Sequence, residues 1–255
     1  MNRGNASAQS LTADVMACIG FYTRLPVSAP VASFATAQWA APVAGVLVGF
    51  VSGTALLAFL WAGAPASVAA AAALGAGMLA TGALHEDGLA DVADGFGGGK
   101  TREEKLAIMR DSRIGSFGVL ALLLVGLMRW AALTAIANAD AGSMLFALVA
   151  AHAASRALMP LFMLRVPPAR TEGLSAGIGA VERQIAFAAL AISSFFLLLG
   201  GIGFACLSAA LLALWFWCLE RLCRHQIGGQ TGDVLGALQQ GGEVAVLIAA
   251  SAILA

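Results

Sequence analysis

The feature that most constrains this chain is a series of apolar runs, each about 20 residues long and without the alternation of a barrel strand. They cover residues 39–61, 65–84, 116–137 and 143–164, a longer stretch at 185–219, and a last run at 244–255 with a start as early as Val234. In hydrocarbon every backbone N–H and C=O must be satisfied within the protein, so runs of this length read as spanning helices. Composition agrees: 60% of the residues are hydrophobic and 11% are charged, against roughly 25% charged in soluble domains. The 185–219 stretch is too long for one span, and Gly200-Gly201 divides it in two. Segment 11–34, interrupted by Arg24 and Pro26, reads as an interfacial or part-buried helix. The expectation is an all-α, polytopic helical membrane protein with six or seven transmembrane helices, folded as a single domain over 1–255.

Fourteen Lys plus Arg balance fourteen Asp plus Glu. Net charge therefore names no partner, and nothing in the pattern calls for nucleic acid. The placement of the cations says more. Lys100, Arg102, Lys105, Arg110 and Arg113 lie in one polar stretch, Arg165, Arg170 and Arg183 in a second, Arg221 and Arg224 in a third. If the intervening runs pair as hairpins, these stretches share one side. The other side keeps only short turns, including 138–142, with Asp140 as its sole charge. Positive residues mark the cytoplasm, so the working loops are expected there.

The stretch His85-Glu86-Asp87-Gly88-Leu89-Ala90-Asp91-Val92-Ala93-Asp94-Gly95 follows a spanning run. On a helix, Asp87, Asp91 and Asp94 are spaced i, i+4, i+7 and fall within about 60° of one another. Carboxylates stacked this way repel, and desolvation near a membrane adds to the cost. A divalent cation relieves both, and hard oxygen ligands suit Mg2+. Glu86 points about 100° away and joins the same ion if the helix unwinds at Gly88. Downstream, Gly95-Phe96-Gly97-Gly98-Gly99-Lys100-Thr101 has the end of a P-loop, but Asp94 stands where its first glycine belongs. No strand precedes it, so a Walker site is rejected.

Asp111-Ser112-Arg113-Ile114-Gly115 closes the polar stretch, and Arg113 offers paired donors to a phosphate beside the start of the next span. Inside the spans, Arg129, His152 and Arg156 are ionisable residues in hydrocarbon, where function or a buried partner is the default. Arg156 is the stronger candidate for a substrate phosphate, and His152 reads as structural. Gly228-Gly229-Gln230-Thr231-Gly232-Asp233 sets a carboxylate before the last span, suited to completing a metal site or to meeting a helix dipole. Arg24 stands alone in the apolar Phe21-Tyr22-Thr23-Arg24-Leu25-Pro26. A small transporter is the rival reading, but its ionisable residues would gather near the bilayer midplane.

Four blocks, 21–26, 85–95, 109–118 and 228–237, resemble the cobalamin synthase family (adenosylcobinamide-GDP ribazoletransferases), and their order and spacing fit across nearly the whole chain. The resemblance implies a Mg2+-dependent phosphotransferase of the bacterial cytoplasmic (inner) membrane. Its substrates would be adenosylcobinamide-GDP and α-ribazole or α-ribazole 5′-phosphate, with GMP released. It also implies that Glu86, Asp87, Asp91 and Asp94 are metal ligands, with Asp94 and Asp91 catalytic and Asp94 the proton acceptor. Arg24, Asp111, Ser112, Arg113, Arg156 and Asp233 are expected on the substrate side. Membrane lipid surrounds such a protein, and an oligomer remains open.

Overall fold

The computed structural model describes residues 3–27, 29–31, 33–136 and 141–255. Its helices are α1 (Arg3–Tyr22), α2 (Phe34–Ala37), α3 (Ala41–Trp61), α4 (Ala66–Thr81), α5 (Leu84–Gly98), α6 (Arg102–Ile108), α7 (Ser116–Ile136), α8 (Ala141–Arg165), α9 (Leu174–Ile178), α10 (Arg183–Leu199), α11 (Ile202–Ile227) and α12 (Gly232–Ile253). Among the described residues the only β-type pairing is an isolated bridge between Pro168 and Gln230. Five helical stretches are long and apolar enough to cross a membrane, and counting α4 with α5 as one bent span makes six. That is the lower of the two expected totals. The 17-residue α10 is apolar but shorter. The expected turn at 138–142 and its Asp140 fall at 138–140 outside the described residues.

The core is α8 and α12, buried nearly all round, with α3, α7, α10 and α11 packed on them. Lipid tails are as apolar as leucine, so close packing of small residues must hold such helices together. Gly45, Gly49 and Gly53 stand at i, i+4, i+8 on α3 and turn to α8. A Cβ on Gly49 would lie 2.5 Å from the Val149 Cα, and those on Gly45 and Gly53 would strike the His152 backbone and the Leu145 side chain. Gly200-Gly201 separates α10 from α11 as expected, with Gly201 at φ 89°. α11 then runs on to Ile227, well beyond the expected end at 219, and stops at Gly228 with φ 76°.

The three basic stretches meet at one end of the bundle. Arg102 donates through Nε to the Ile227 carbonyl (2.8 Å) and through Nη2 to the Ala169 carbonyl (2.6 Å). Arg165 and Arg224 share Glu220. Ala169 and Gln230 exchange backbone hydrogen bonds with their neighbours across the loops.

The largest departure from expectation lies after α4. The helix does not continue into the acidic stretch. Gly82 (φ 67°) and Ala83 (φ 58°) take left-handed conformations, and α5 leaves at 92° to α4. α5 is too short and too polar to cross by itself. It packs between α7 and α12, so the acidic stretch is helical, as the i, i+4, i+7 spacing reads, but as a separate helix turned away from the span and not as its continuation. Its glycines, and the Gly99 that ends it, serve packing: Met109 lies against Gly95, Phe117 against Gly97 and Lys105 against Gly99. Those contacts occupy the bare backbone that would otherwise approach a phosphate.

Candidate active site

The crossing of α5 over α12 builds the site. Gly88 meets Asp233, whose carbonyl would be 2.8 Å from an added Cβ, and Gly236 meets His85, whose carbonyl would be 3.1 Å away. Two glycines facing two backbones let the helices touch. The contact brings Asp233, the second residue of α12, in front of Asp87 and Asp91, so carboxylates far apart in sequence share one mouth. Thr231 caps α12 by accepting from the Val234 N–H (3.3 Å), which leaves Asp233 free of that duty. Asp233 takes a hydrogen bond from Thr231 Oγ1 (3.0 Å) and pairs with Arg170 Nη2 (3.3 Å). Arg170 Nη1 is buried and has no partner.

Asp87 is exposed and Asp91 half-buried. Burial is the first cause that pushes the Asp91 carboxyl up from 3.8 to about 7, followed by the charges of Asp87, Asp233 and Asp94, with Arg170 opposing. The raised pKa reports burial first and neighbouring negative charge second. The donor set, all carboxylate oxygen, is the chemistry that Mg2+ takes. As the side chains stand, no three His, Cys, Asp or Glu among the described residues converge closely enough to hold an ion. Asp87, Asp91 and Asp233 fit such an ion in ligand type.

Glu86 and Asp94, both expected as metal ligands, are engaged elsewhere. α5 does not unwind at Gly88, so Glu86 stays away from Asp87 and Asp91. On its own face, about 100° from Asp87, its Oε1 accepts from Arg129 Nη1 (3.2 Å) and Gln240 Nε2 (3.1 Å). Arg129 also pairs with Glu243 (2.5 Å), and Glu243 meets His152 Nδ1 (3.2 Å) and Gln239 (2.8 Å). Asp94 is buried with one oxygen on the Gly115 N–H (2.7 Å) and the other on the Gly118 N–H (2.8 Å). It satisfies donors that the first turn of α7 leaves unpaired. Both glycines are required, because a Cβ on either would run into the carboxylate.

The other expected residues scatter. Arg156 is 1% exposed and donates to the ring and carbonyl of His152 (3.1 and 3.2 Å), inside the bundle. Arg24 donates its backbone N–H to the Ala80 carbonyl (2.7 Å) and lays its guanidinium over Gly82, bracing the bend. Asp111 and Arg113 pair with each other (2.6 Å) in solvent, which holds the Asp111 carboxyl below its usual range. They border Asp94 in a separate depression together with Ile114 and Ser116, not the mouth formed by Asp87 and Asp233.

Below Asp87 and Asp233 lies a cavity of about 100 Å³ walled by α1, α5, α8, α9 and α12. Tyr22 is stacked on His85 there, ring centroids 6.0 Å apart, and donates its hydroxyl to Gln38 (2.7 Å). Arg170, beside Asp233, and His85 and Ser175, in the cavity wall, were not among the site residues expected from the sequence. Arg170 sat among cations assigned to anchoring, Ser175 in a loop without pattern. His85 alone had a signal, since it opens the acidic motif.

Residues 14–251 match the family described as cobalamin-5-phosphate synthase. The chain belongs to that family. An adenosylcobinamide-GDP ribazoletransferase of Mesorhizobium japonicum is 51% identical over 250 residues, covering 96% of this chain and 95% of that protein. One of Bradyrhizobium diazoefficiens is 48% identical over 254 residues, covering 98% and 97%. One of Ralstonia nicotianae is 43% identical over 236 residues, covering 90% and 91%. No solved structure matches. As a cobalamin-5-phosphate synthase family member, the chain is a membrane transferase of cobalamin synthesis, and the transporter reading falls away.

Proposed function

We propose that this protein joins adenosylcobinamide-GDP to α-ribazole, or to α-ribazole 5′-phosphate, with release of GMP, at the cytoplasmic face of the inner membrane. The observation that carries the reading is the meeting of Asp233 with Asp87 and Asp91 beside the half-used guanidinium of Arg170. A phosphotransferase needs charge neutralisation and in-line placement more than covalent help, and this mouth supplies both signs of charge. The cytoplasmic assignment rests on the three basic stretches gathered at the same end.

In the reaction a ribose hydroxyl oxygen attacks the phosphorus bonded to cobinamide. A new P–O bond forms, and the P–O bond to the GMP phosphate breaks. Asp91 is placed to accept the hydroxyl proton: with its carboxyl raised to about 7, the ionised form is a stronger base than an ordinary aspartate. It takes over the role expected of Asp94, whose oxygens are occupied by α7. Arg170, whose part-buried side chain pairs with Asp233 at the mouth, is the cation that would hold a phosphate oxygen of the departing GMP. Asp87 and Asp233 are the residues that would hold Mg2+, which when bound would offset charge on the pyrophosphate.

The test is GMP release by detergent-purified protein given both substrates, in Mg2+ and in EDTA, beside Asp91→Asn. Release that needs both substrates, stops in EDTA and falls in the variant is the expected result. Release that persists in EDTA removes the metal. Folded protein that releases no GMP under any condition overturns the transferase reading.

A further inference from the structure

A second recess, distinct from the carboxylate mouth, lies on the outside of the bundle where α10 and α11 straddle α8. It is a largely apolar groove of about 550 Å³. Its floor is a stripe of α8, Ala154, Leu158, Leu161 and Arg165, at the i, i+4, i+7, i+11 spacing of one helix face. From Ala154 to Arg165 that stripe rises about 16 Å at the usual pitch, close to half of a hydrocarbon core about 30 Å thick. The groove therefore has the length of one leaflet. Arg165, the last residue of α8, sets one end of it at the basic end of the bundle, while α10 and α11 join at Gly200-Gly201 on the other side.

The rim at the basic end is rich in guanidinium groups. Glu220 closes the floor there, and Arg165 Nε and Arg224 Nη2 share its carboxylate, each at 3.1 Å. Arg183 lies over the Phe187 ring, 5.3 Å from its centroid, and Arg221 over the Trp217 ring at 4.6 Å. Both rings line the groove. Among the described residues neither Arg183 nor Arg221 pairs with a carboxylate. Glu182, beside Arg183, accepts from Gln184 Nε2 (2.7 Å). Four arginines thus stand against two glutamates, and two of the four are held only by aromatic faces.

We propose that this groove seats an anionic phospholipid from the leaflet on the basic side, with an acyl chain along α8 and the phosphate at the guanidinium groups of Arg183 and Arg221. Apolar walls one leaflet long match the chain. Guanidinium offers paired donors to phosphate oxygens, and an excess of positive charge at the rim favours a headgroup with net negative charge over a zwitterionic one. A helix with its side chains is about 10–12 Å across, so a helix of a second copy could lie over this groove but not fill it. No residue of the groove belongs to the carboxylate mouth, and the lipid site stands or falls independently of the transferase reading.

Native mass spectrometry of the detergent-purified full chain, titrated with phosphatidylglycerol or with phosphatidylcholine of the same acyl chains, tests the site. An arginine beside an anionic lipid is worth about fivefold in affinity, so one phosphatidylglycerol should be retained about tenfold or more tightly than phosphatidylcholine. Arg183→Gln combined with Arg221→Gln should remove that preference. Ala213→Trp fills the groove from α11 and should weaken retention of both lipids. All three positions are exposed, so the variants should keep the melting temperature of the unaltered protein. Equal affinity for the two lipids in the unaltered protein would overturn the proposal. So would a preference that survives in the double variant, or retention unchanged by Ala213→Trp. A dimer that appears in place of bound lipid and is split by Ala213→Trp would give the groove to a second copy and overturn the proposal as well.

Discussion

Asp91 and Asp94 lie three residues apart on one helix, and their surroundings separate them. Asp94 is spent on two backbone N–H groups, while Asp91 faces charge of its own sign. Asp91→Asn should lower turnover by about 10²–10⁴-fold, the usual worth of a general base, read as GMP release per minute. The same carboxyl makes stability depend on pH. In the folded protein its pKa is about 7 against 3.8 for an ordinary aspartate, so between these values the folded state keeps a proton that the unfolded chain gives up. Its favourable contribution is complete below about pH 4 and is lost as pH rises through about 7. Thermal melts in EDTA should therefore fall across that window, and Asp91→Asn should flatten the fall. Parallel slopes in the two proteins would contradict the field assigned to this carboxylate. Deeper in the bundle, Arg129 balances Glu86 and Glu243 at 2% exposure. Arg129→Met leaves the buried Glu243 carboxylate, and the part-buried Glu86, without their cation and should cost roughly 3–5 kcal/mol, measured as loss of folded protein in a denaturant series.

At the scale of elements, helix ends and crossings decide the site. Asp94 caps α7 from another helix, and the Gly115 and Gly118 spacing exists to admit it. Asp94→Ala should cost about 1–2 kcal/mol, as lost caps do. Hydrogen exchange should rise at 115–119 before it rises elsewhere. The α5–α12 crossing is tighter. Gly88→Val would force α5 away from the Asp233 backbone and should abolish GMP release while the rest of the bundle stays helical by circular dichroism. The Asp-Gly-Leu-Ala-Asp pattern was legible as a face of carboxylates. That its glycine is a contact surface was not, because a helix crossing is defined by a partner some 145 residues away in sequence, counted from Gly88 to Asp233.

For the whole molecule, the three basic stretches meet at one end, as the hairpin argument required. Their compartment is open to direct test. Cysteine placed at Lys100→Cys should react with an impermeant maleimide only in inverted vesicles, and at Ala62→Cys, in the turn between α3 and α4, only in right-side-out ones. Labelling with the opposite sidedness would place the carboxylates outside the cell and remove the cytoplasmic part of the proposed function.

Apolar run length, the Gly200-Gly201 break and the distribution of cations were enough to specify a polytopic helical bundle, because hydrocarbon leaves the backbone few alternatives. The acidic motif by itself located one wall of the site. Tertiary structure alone decided the rest: that α5 turns 92° from α4, that Glu86 faces inward to Arg129, that Asp94 serves α7, and that Asp233 and Arg170 complete the mouth. A side chain's role depends on what packs against its face of the helix. Local periodicity reports the face and not the partner, so residues equivalent in the sequence diverge once long-range contacts form.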